Sequence, residues 1–172
     1  AYQNKEFDEL MNYADHIVFN SPGQLKKFGA KAKHSGKSIG LRINPECSTQ
    51  KEHEIYDPCA AGSRLGTTRT QWEREMNDEL IGLLDGLHFH TLCEQNSDAL
   101  RKTLDAVNKK FGDILPGMKW LNMGGGHHIT RADYNMPLLE QCIEEAKTKW
   151  DVKVYLEPGE ACALNAGYLV CR

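Results

Sequence analysis

A parallel α/β fold, with strands and helices in alternation, is what this sequence predicts, and three observations predict it. Short apolar runs recur at an interval that leaves room for one helix between each pair, the pattern of βαβ units. The intervening segments carry apolar residues at helical spacing, most clearly Leu100, Leu104, Val107 and Phe111. Two of the runs, leading into Asn122-Met123-Gly124-Gly125-Gly126-His127-His128 and Tyr155-Leu156-Glu157-Pro158-Gly159-Glu160, break into special backbone residues just where a strand should stop. In α/β barrels that end of a strand is where ligands bind.

The elements follow in order. His16 to Asn20 is the first apolar run, and Ser21-Pro22 behind it supplies an N-cap and a proline at the first helical position. Ser38 to Asn44 is the second strand, closed by Pro45. A long polar loop, Glu46 to Gly66, comes next and contains Asp57-Pro58 and Gly62-Ser63-Arg64-Leu65-Gly66. Loops beyond about 12–15 residues in compact domains are usually functional or mobile. Thr68 or Thr70 then opens a helix running toward Leu80. Gly86 to Thr91 is the third strand, with Ser97 capping the helix after it. Lys119 to Met123 is the fourth strand, and Leu138, Leu139, Cys142, Ile143 and Ala146 mark the apolar face of the next helix. Val152 to Glu157 is the fifth strand.

Such an alternation builds either a (β/α) barrel or an open doubly wound sheet. The glycine fingerprint of a dinucleotide fold belongs after the first strand, whereas these glycines follow the fourth, which favours the barrel. Five strands make an incomplete one. The sequence starts at Ala1 without a methionine or a signal-like segment and stops inside the apolar run Ala166 to Val170, so both ends are expected to be cuts in a longer protein.

Composition narrows the class. The 172 residues are 40% hydrophobic and 26% charged, enough for one globular domain. The net charge is −3 with basic residues spread among acidic ones, so neither nucleic acid nor an anionic membrane is an expected partner. No apolar run approaches the ~20 residues of a membrane span. Six cysteines without a C-x-x-C pair argue against a zinc knuckle and a disulfide framework, and point to a reducing cytoplasm.

The chemistry sits in three places. Gly124-Gly125-Gly126, between a strand and a helix, lets backbone N–H groups close around a phosphate, although a glycine run alone can be no more than a tight turn. His88 and His90 alternate on one face of the third strand and point into the barrel. They are either hydrogen-bonded interior histidines or, with His127 and His128, a metal site, but no acidic ligand sits at a recognisable interval and no metal is expected. Glu157, fixed by the sharp exit at Pro158-Gly159, either pairs with a cation such as Arg42 or Arg64 or serves a ligand. A phosphate cradle, an imidazole able to lie on an aromatic ring and a carboxylate able to hold a protonated ring nitrogen are together the fixings that pyridoxal 5'-phosphate needs.

Gly86 to Gln95, Gly124 to Thr130 and Glu157 to Ala161 resemble the carboxynorspermidine (carboxyspermidine) decarboxylase family, one of the fold-type III pyridoxal-phosphate decarboxylases alongside the ornithine and diaminopimelate enzymes. The resemblance extends to Leu41 to Pro45, Asp57 to Ala60 and Ser63 to Gly66, and so to nearly the whole chain. It implies a partial (β/α)8 TIM barrel of the alanine racemase-like type, residues 1–172 forming about the last five strands of an incomplete cofactor-binding domain open at both ends. The Schiff-base lysine would lie upstream of Ala1, and a carboxy-terminal β domain beyond Arg172 would complete the site across a homodimer.

By that resemblance His90 is the catalytic residue that stacks on the cofactor ring. Gly124, Gly125 and Gly126 give backbone donors to its phosphate, Glu157 pairs with the pyridine nitrogen, and His88 is a supporting neighbour. The wider group often has arginine where this chain has Glu160; a glutamate cannot hold phosphate, and Glu160 is expected instead to face the cationic amines of a polyamine-like substrate. Cys93 and Glu94 replace small residues of the relatives. The parent enzyme would release norspermidine or spermidine with loss of carbon dioxide, and this polypeptide alone is expected to be inactive. The rivals are a diaminopimelate-like decarboxylase of the same fold, a non-catalytic module binding pyridoxal phosphate or another phosphate ligand, and a metal-dependent barrel hydrolase.

Overall fold

A computed structural model describes residues 2–50, 57–168 and 170–171. Its elements, numbered along the chain, are α1 (Asn4–Leu10), β1 (His16–Phe19), α2 (Pro22–His34), β2 (Ser38–Arg42), α3 (Arg69–Glu75), α4 (Asp78–Gly82), β3 (Gly86–His88), α5 (Ser97–Phe111), a 3₁₀ turn (Leu115–Gly117), β4 (Trp120–Asn122), α6 (Met136–Trp150), β5 (Lys153–Tyr155) and α7 (Gly159–Ala163). The strands form one five-stranded sheet in the order β1-β2-β3-β4-β5, every pair parallel. Each crossover carries helix, as a parallel connection requires. Among the described residues no helix is long and apolar enough to cross a membrane.

Alternation along the strands separates two faces. Ile17, Phe19, Ile39, Leu41, Leu87 and Leu121 turn outward, are fully or almost fully buried, and form the core with the helices. Along α5 the expected stripe of Leu100, Leu104, Val107 and Phe111 is wholly buried. On α6 Leu139, Cys142 and Ala146 are buried, while Leu138 and Ile143 flank them half-covered. Arg101 of α5 ties the two helices by pairing with Glu145. The other face of the sheet, carrying Gly40, Arg42, Gly86, His88, Trp120 and Asn122, is the concave barrel interior.

At the amino-terminal end of that interior Trp120 lies across two glycines. A Cβ on Gly86 would come within 2.0 Å of the indole, and one on Gly40 within 2.3 Å. The indole Nε1 donates to Ser38 Oγ at 2.9 Å. Small residues on β2 and β3 are thus the condition for the large one on β4.

Several boundaries differ from expectation. The strands are shorter, since each ends where its backbone turns toward the site. The helix expected from Thr68 to Leu80 is two helices. Thr68 does cap α3, in a capping box with Gln71, but Met76 is extended, and Asn77 accepts the Leu80 N–H at 2.9 Å to start α4. A mid-segment asparagine here competes with the helix for its own backbone donors. Asn96 rather than Ser97 caps α5, because the Ser97 hydroxyl is buried and donates to the Asn135 carbonyl at 2.8 Å. Ser21 caps α2 as expected, accepting the Gln24 N–H at 3.3 Å.

The described part of the Glu46–Gly66 loop is anchored at its return, and residues 51–56 lie outside the description. Asn20 receives the Gly66 N–H at 2.9 Å and donates to the Arg64 carbonyl at 2.9 Å, and Thr67 bridges back to Ile43. Helix α1 was not signalled by the sequence pattern. It closes the near end of the core by stacking Phe7 on Phe28, with centroids 4.4 Å apart.

Candidate cofactor site

The carboxy-terminal ends of β2 to β5 bring one interior side chain each to a common region. β2 ends on Arg42, β3 on His88 with His90 two residues on, and β4 on Asn122 with Gly124 two residues on. Glu157 stands two residues beyond β5. A period of two is what places them together.

The glycine turn is shaped for close approach. Gly124 and Gly126 have φ of +71° and +79°, a region that favours glycine. A Cβ at Gly124 would lie 2.4 Å from the Phe89 carbonyl, at Gly125 2.6 Å from that of Glu157, and at Gly126 2.1 Å from that of Leu92. The turn is therefore wedged between the ends of β3 and β5, with no room for side chains. The Gly124 N–H is held by Asn122 Oδ1 at 2.9 Å, and the Gly125 N–H points to His90 Nδ1 at 3.4 Å. The Gly124 and Gly125 donors are thus both engaged by side chains of the site, the second at the long end of hydrogen bonding, so a ligand phosphate would have to displace these partners to use them.

His90 is half-buried, and burial, reinforced by Arg42 and His88, pushes its pKa below the usual imidazole range, against the pull of Glu157. The ring is neutral at pH 7, the form in which it can lie against a cationic heterocycle without repulsion. Arg42 Nη2 donates to the His90 carbonyl at 3.2 Å and so steadies that segment.

Glu157 accepts from Asn122 Nδ2 at 2.8 Å through Oε1, while Oε2 lies 3.6 Å from His88 Nε2, beyond hydrogen-bond length. The His88 imidazole, helped by Asn122 and His90 and opposed by burial, holds the Glu157 carboxyl down at about 2. It is an anion throughout the physiological range, as a partner for a protonated ring nitrogen must be. His88 is buried, and its Nδ1 has no hydrogen-bond partner among the described residues.

His88, His90 and Glu157 also offer ligand atoms within 4.8 Å of one another. The acidic companion that the spacing of the histidines did not reveal is thus Glu157, brought in from another strand. His127 and His128 do not complete a four-imidazole site. His127 is buried to 1% exposure beneath the glycine turn, and burial depresses its pKa. His128 turns to Glu160, with Nε2 2.7 Å from Oε1. The carboxylate expected to face a substrate amine therefore already has an imidazole partner. Cys93 and Glu94 line a separate cavity of about 430 Å³ with Gln50, Gln95 and Lys102, over the β3–α5 connection.

Asn122 is the site residue that sequence reasoning passed over. The signal was present: Trp120, Asn122 and Gly124 alternate on the interior face, so a polar side chain had to stand between the packed indole and the turn. Arg42 was named only as a possible partner for Glu157, whereas its strongest tie is to the backbone of His90.

No protein-family model matches the chain. A carboxynorspermidine/carboxyspermidine decarboxylase of Campylobacter jejuni is 42% identical over 170 residues, 99% of this chain and 43% of the relative. Over nearly its whole length the chain is similar to part of the carboxynorspermidine/carboxyspermidine decarboxylases. It spans less than half the length of these curated relatives. A carboxyaminopropylagmatine decarboxylase of Synechocystis is 36% identical over 171 residues, again 99% of this chain and 43% of the relative. The crystal structure of the Campylobacter jejuni carboxynorspermidine decarboxylase complexed with norspermidine superimposes with a TM-score of 0.80 at 40% identity, covering 94% of this chain and 39% of that one. The five parallel strands thus superimpose on part of that solved structure, in keeping with the partial (β/α) barrel that the alternation of elements and the position of the glycines predicted.

Proposed function

We propose that the protein containing this chain is a pyridoxal 5'-phosphate-dependent carboxy-lyase of polyamine biosynthesis. It would convert carboxynorspermidine or carboxyspermidine to norspermidine or spermidine. The observation that carries this reading is the convergence of a side-chain-free turn, a neutral imidazole and a firmly ionised carboxylate at one end of a parallel sheet. Inorganic phosphate recognition would need the first of these and neither of the others.

When bound, pyridoxal phosphate supplies a protonated pyridine ring that takes up the electron pair left behind as carbon dioxide departs. The residues of this chain hold that ring. The turn at Gly124, Gly125 and Gly126 receives the phosphate, its backbone shape set in advance by Asn122, which holds the Gly124 N–H, and by the wedge between strands. His90, kept neutral, covers a ring face and excludes water from it. Glu157 keeps the proton on the ring nitrogen, because a nearby anion favours the charged form of the ring. Glu160, linked to His128, is placed to meet a distal ammonium of the substrate by exchanging its imidazole partner for the amine. The two carboxylated polyamines differ by one methylene, worth ~1–3 kcal/mol in a hydrophobic contact, so one enzyme can accept both.

None of the described lysines stands at the carboxy-terminal end of a strand, where it could bond the cofactor covalently. The reading therefore requires a lysine from outside the described residues, and the 172 residues alone are expected to be inactive. The alternative is a non-catalytic module binding pyridoxal phosphate or another phosphate ligand, for which the side-chain-free turn would suffice. The resemblance also leads to a cytoplasmic homodimer, and the free cysteines suit that compartment. The test is to incubate the full natural-length protein with pyridoxal phosphate and each carboxylated polyamine, and to measure carbon dioxide and free polyamine. Release of both supports the reading. Cofactor binding without release from either substrate would sink the decarboxylase in favour of the binding module.

A further inference from the structure

One side chain touches both ends of the proposed cofactor site. Asn122 Oδ1 accepts the Gly124 N–H at 2.9 Å, and Asn122 Nδ2 donates to Glu157 Oε1 at 2.8 Å. The orientation of the amide is fixed by its partners. A backbone N–H can only donate and an ionised carboxylate can only accept, so oxygen must face the turn and nitrogen the acid.

We propose that Asn122 is a positioning residue that sets the glycine turn and the Glu157 carboxylate in register with each other, so that the phosphate and the ring nitrogen of one cofactor molecule are met together. The inference rests on the cofactor reading above. The backbone around Asn122 is unusually well restrained for this task. Its carbonyl accepts the Phe89 N–H at 2.9 Å, the next residue donates to the Tyr155 carbonyl at 2.9 Å, and the Glu157 N–H returns to the Gly124 carbonyl at 2.8 Å. β3, β4 and β5 are thereby stitched at one level, and the amide projects from the middle strand of the three.

A local turn would need only the oxygen. An asparagine that bonds the N–H two residues ahead is a common way to shape a loop, and it leaves the amide nitrogen free for any partner. Here that nitrogen goes to the carboxylate meant for the ring, and the His88 imidazole, from the neighbouring strand, stands 3.6 Å from the other oxygen of the same carboxylate. Each Glu157 oxygen is thus approached by one strand-end side chain, which leaves the carboxylate little rotational freedom. Fixed geometry of this kind is what allows a charge to act on a ligand without reorganising.

The experiment separates the two bonds. The full natural-length protein, stripped of cofactor, is titrated with pyridoxal phosphate and with its 1-deaza analogue, in which a C–H replaces the ring nitrogen. Asn122→Asp keeps an oxygen for Gly124 but replaces the donor to Glu157 with a second carboxylate oxygen that repels it. It should weaken pyridoxal phosphate about tenfold, the loss of one charge-assisted bond, and the deaza analogue less than threefold. Asn122→Ala loses both bonds and should weaken both probes, pyridoxal phosphate by several-fold more than the analogue. If Asn122→Asp folds poorly, the ratio between probes for Asn122→Ala carries the same test. Equal losses for the two probes, or none, would overturn the inference. A parent protein that binds neither probe would instead overturn the cofactor reading on which it rests.

Discussion

The two ends of the sheet are built on opposite rules. At the amino-terminal end the buried carboxylate is fully matched. Asp85, with a side chain only 7% exposed, takes Lys119 at 2.8 Å, Lys33 at 2.7 Å and the Ile39 N–H at 3.1 Å, and Trp120 fills the space above Gly40 and Gly86. At the carboxy-terminal end groups are held but not saturated. His88 Nδ1 and both ring nitrogens of His127 are buried without partners among the described residues, and Glu157 is still half-exposed. One end is packed for stability. The other keeps charge and hydrogen-bonding capacity in reserve for a ligand, which is how barrels generally divide the work.

If that division is right, substitutions at the two ends should separate activity from stability. The largest effect is expected at Glu157. Glu157→Gln preserves shape but removes the anion that keeps a ring proton in place, and should lower decarboxylation by about 10²–10³-fold, roughly 3–4 kcal/mol of lost preorganised electrostatics. Unfolding midpoints should stay near those of the parent, since the carboxylate is half-exposed and no packing is lost. A variant that loses stability but retains turnover would reverse the assignment of the two ends.

The complementary substitution is Gly86→Ala. Its methyl would sit 2.0 Å from the Trp120 ring, itself held by Ser38 and flanked by His16 and Tyr155. Such overpacking has no soft neighbour to yield and should cost about 3 kcal/mol, the upper part of the usual range. Chemical denaturation measures it. Cofactor affinity, read on the fraction that remains folded, should be close to that of the parent. A Gly86→Ala protein as stable as the parent would show that the interior at this end is loosely packed, and the contrast between the ends would fail.

Asp85 offers a test by pH. Burial pulls its pKa upward, but the Lys119 and Lys33 contacts and the Ile39 N–H outweigh it and hold the carboxyl at about 2, against an ordinary 3.8. The folded-state value is depressed, so the stabilisation is fully present above pH ~4 and is lost as pH falls through about 2. Its size is of order 2 kcal/mol. Asp85→Asn should flatten that part of the acid-unfolding curve; an unchanged curve would mean the lysines do not hold the carboxylate in solution.

How far these two ends were visible in the sequence follows from how local their causes are. The interior face was legible because alternation is a property of the strand itself, as with His88 and His90. The helix stripes were legible for the same reason. What could not be read was decided between elements. Asn96 displaced Ser97 as a cap because Asn135, far along the chain, claims the serine hydroxyl. Glu160 looked available for an amine because nothing near it in sequence shows that His128 folds over to meet it. The approach of His88 to within 3.6 Å of Glu157 likewise belongs to the register of β3, β4 and β5, and not to any one segment.

The smallest effect sharpens the comparison at a single bond. Ser38 Oγ accepts the Trp120 indole N–H at 2.9 Å across the width of the sheet interior, and Trp120 is 4% exposed. Ser38→Ala removes the acceptor without adding volume, so the packing over Gly40 and Gly86 is untouched and only the buried donor is left without its partner. The expected loss is about 1 kcal/mol in chemical denaturation, with no change in cofactor affinity. The same substitution becomes more informative combined with Gly86→Ala. Once the indole has been displaced by the new methyl, the serine bond is already broken, and the two losses should fall short of their sum. Full additivity would mean that Trp120 does not move, and that the amino-terminal end accommodates the methyl by shifting its strands instead.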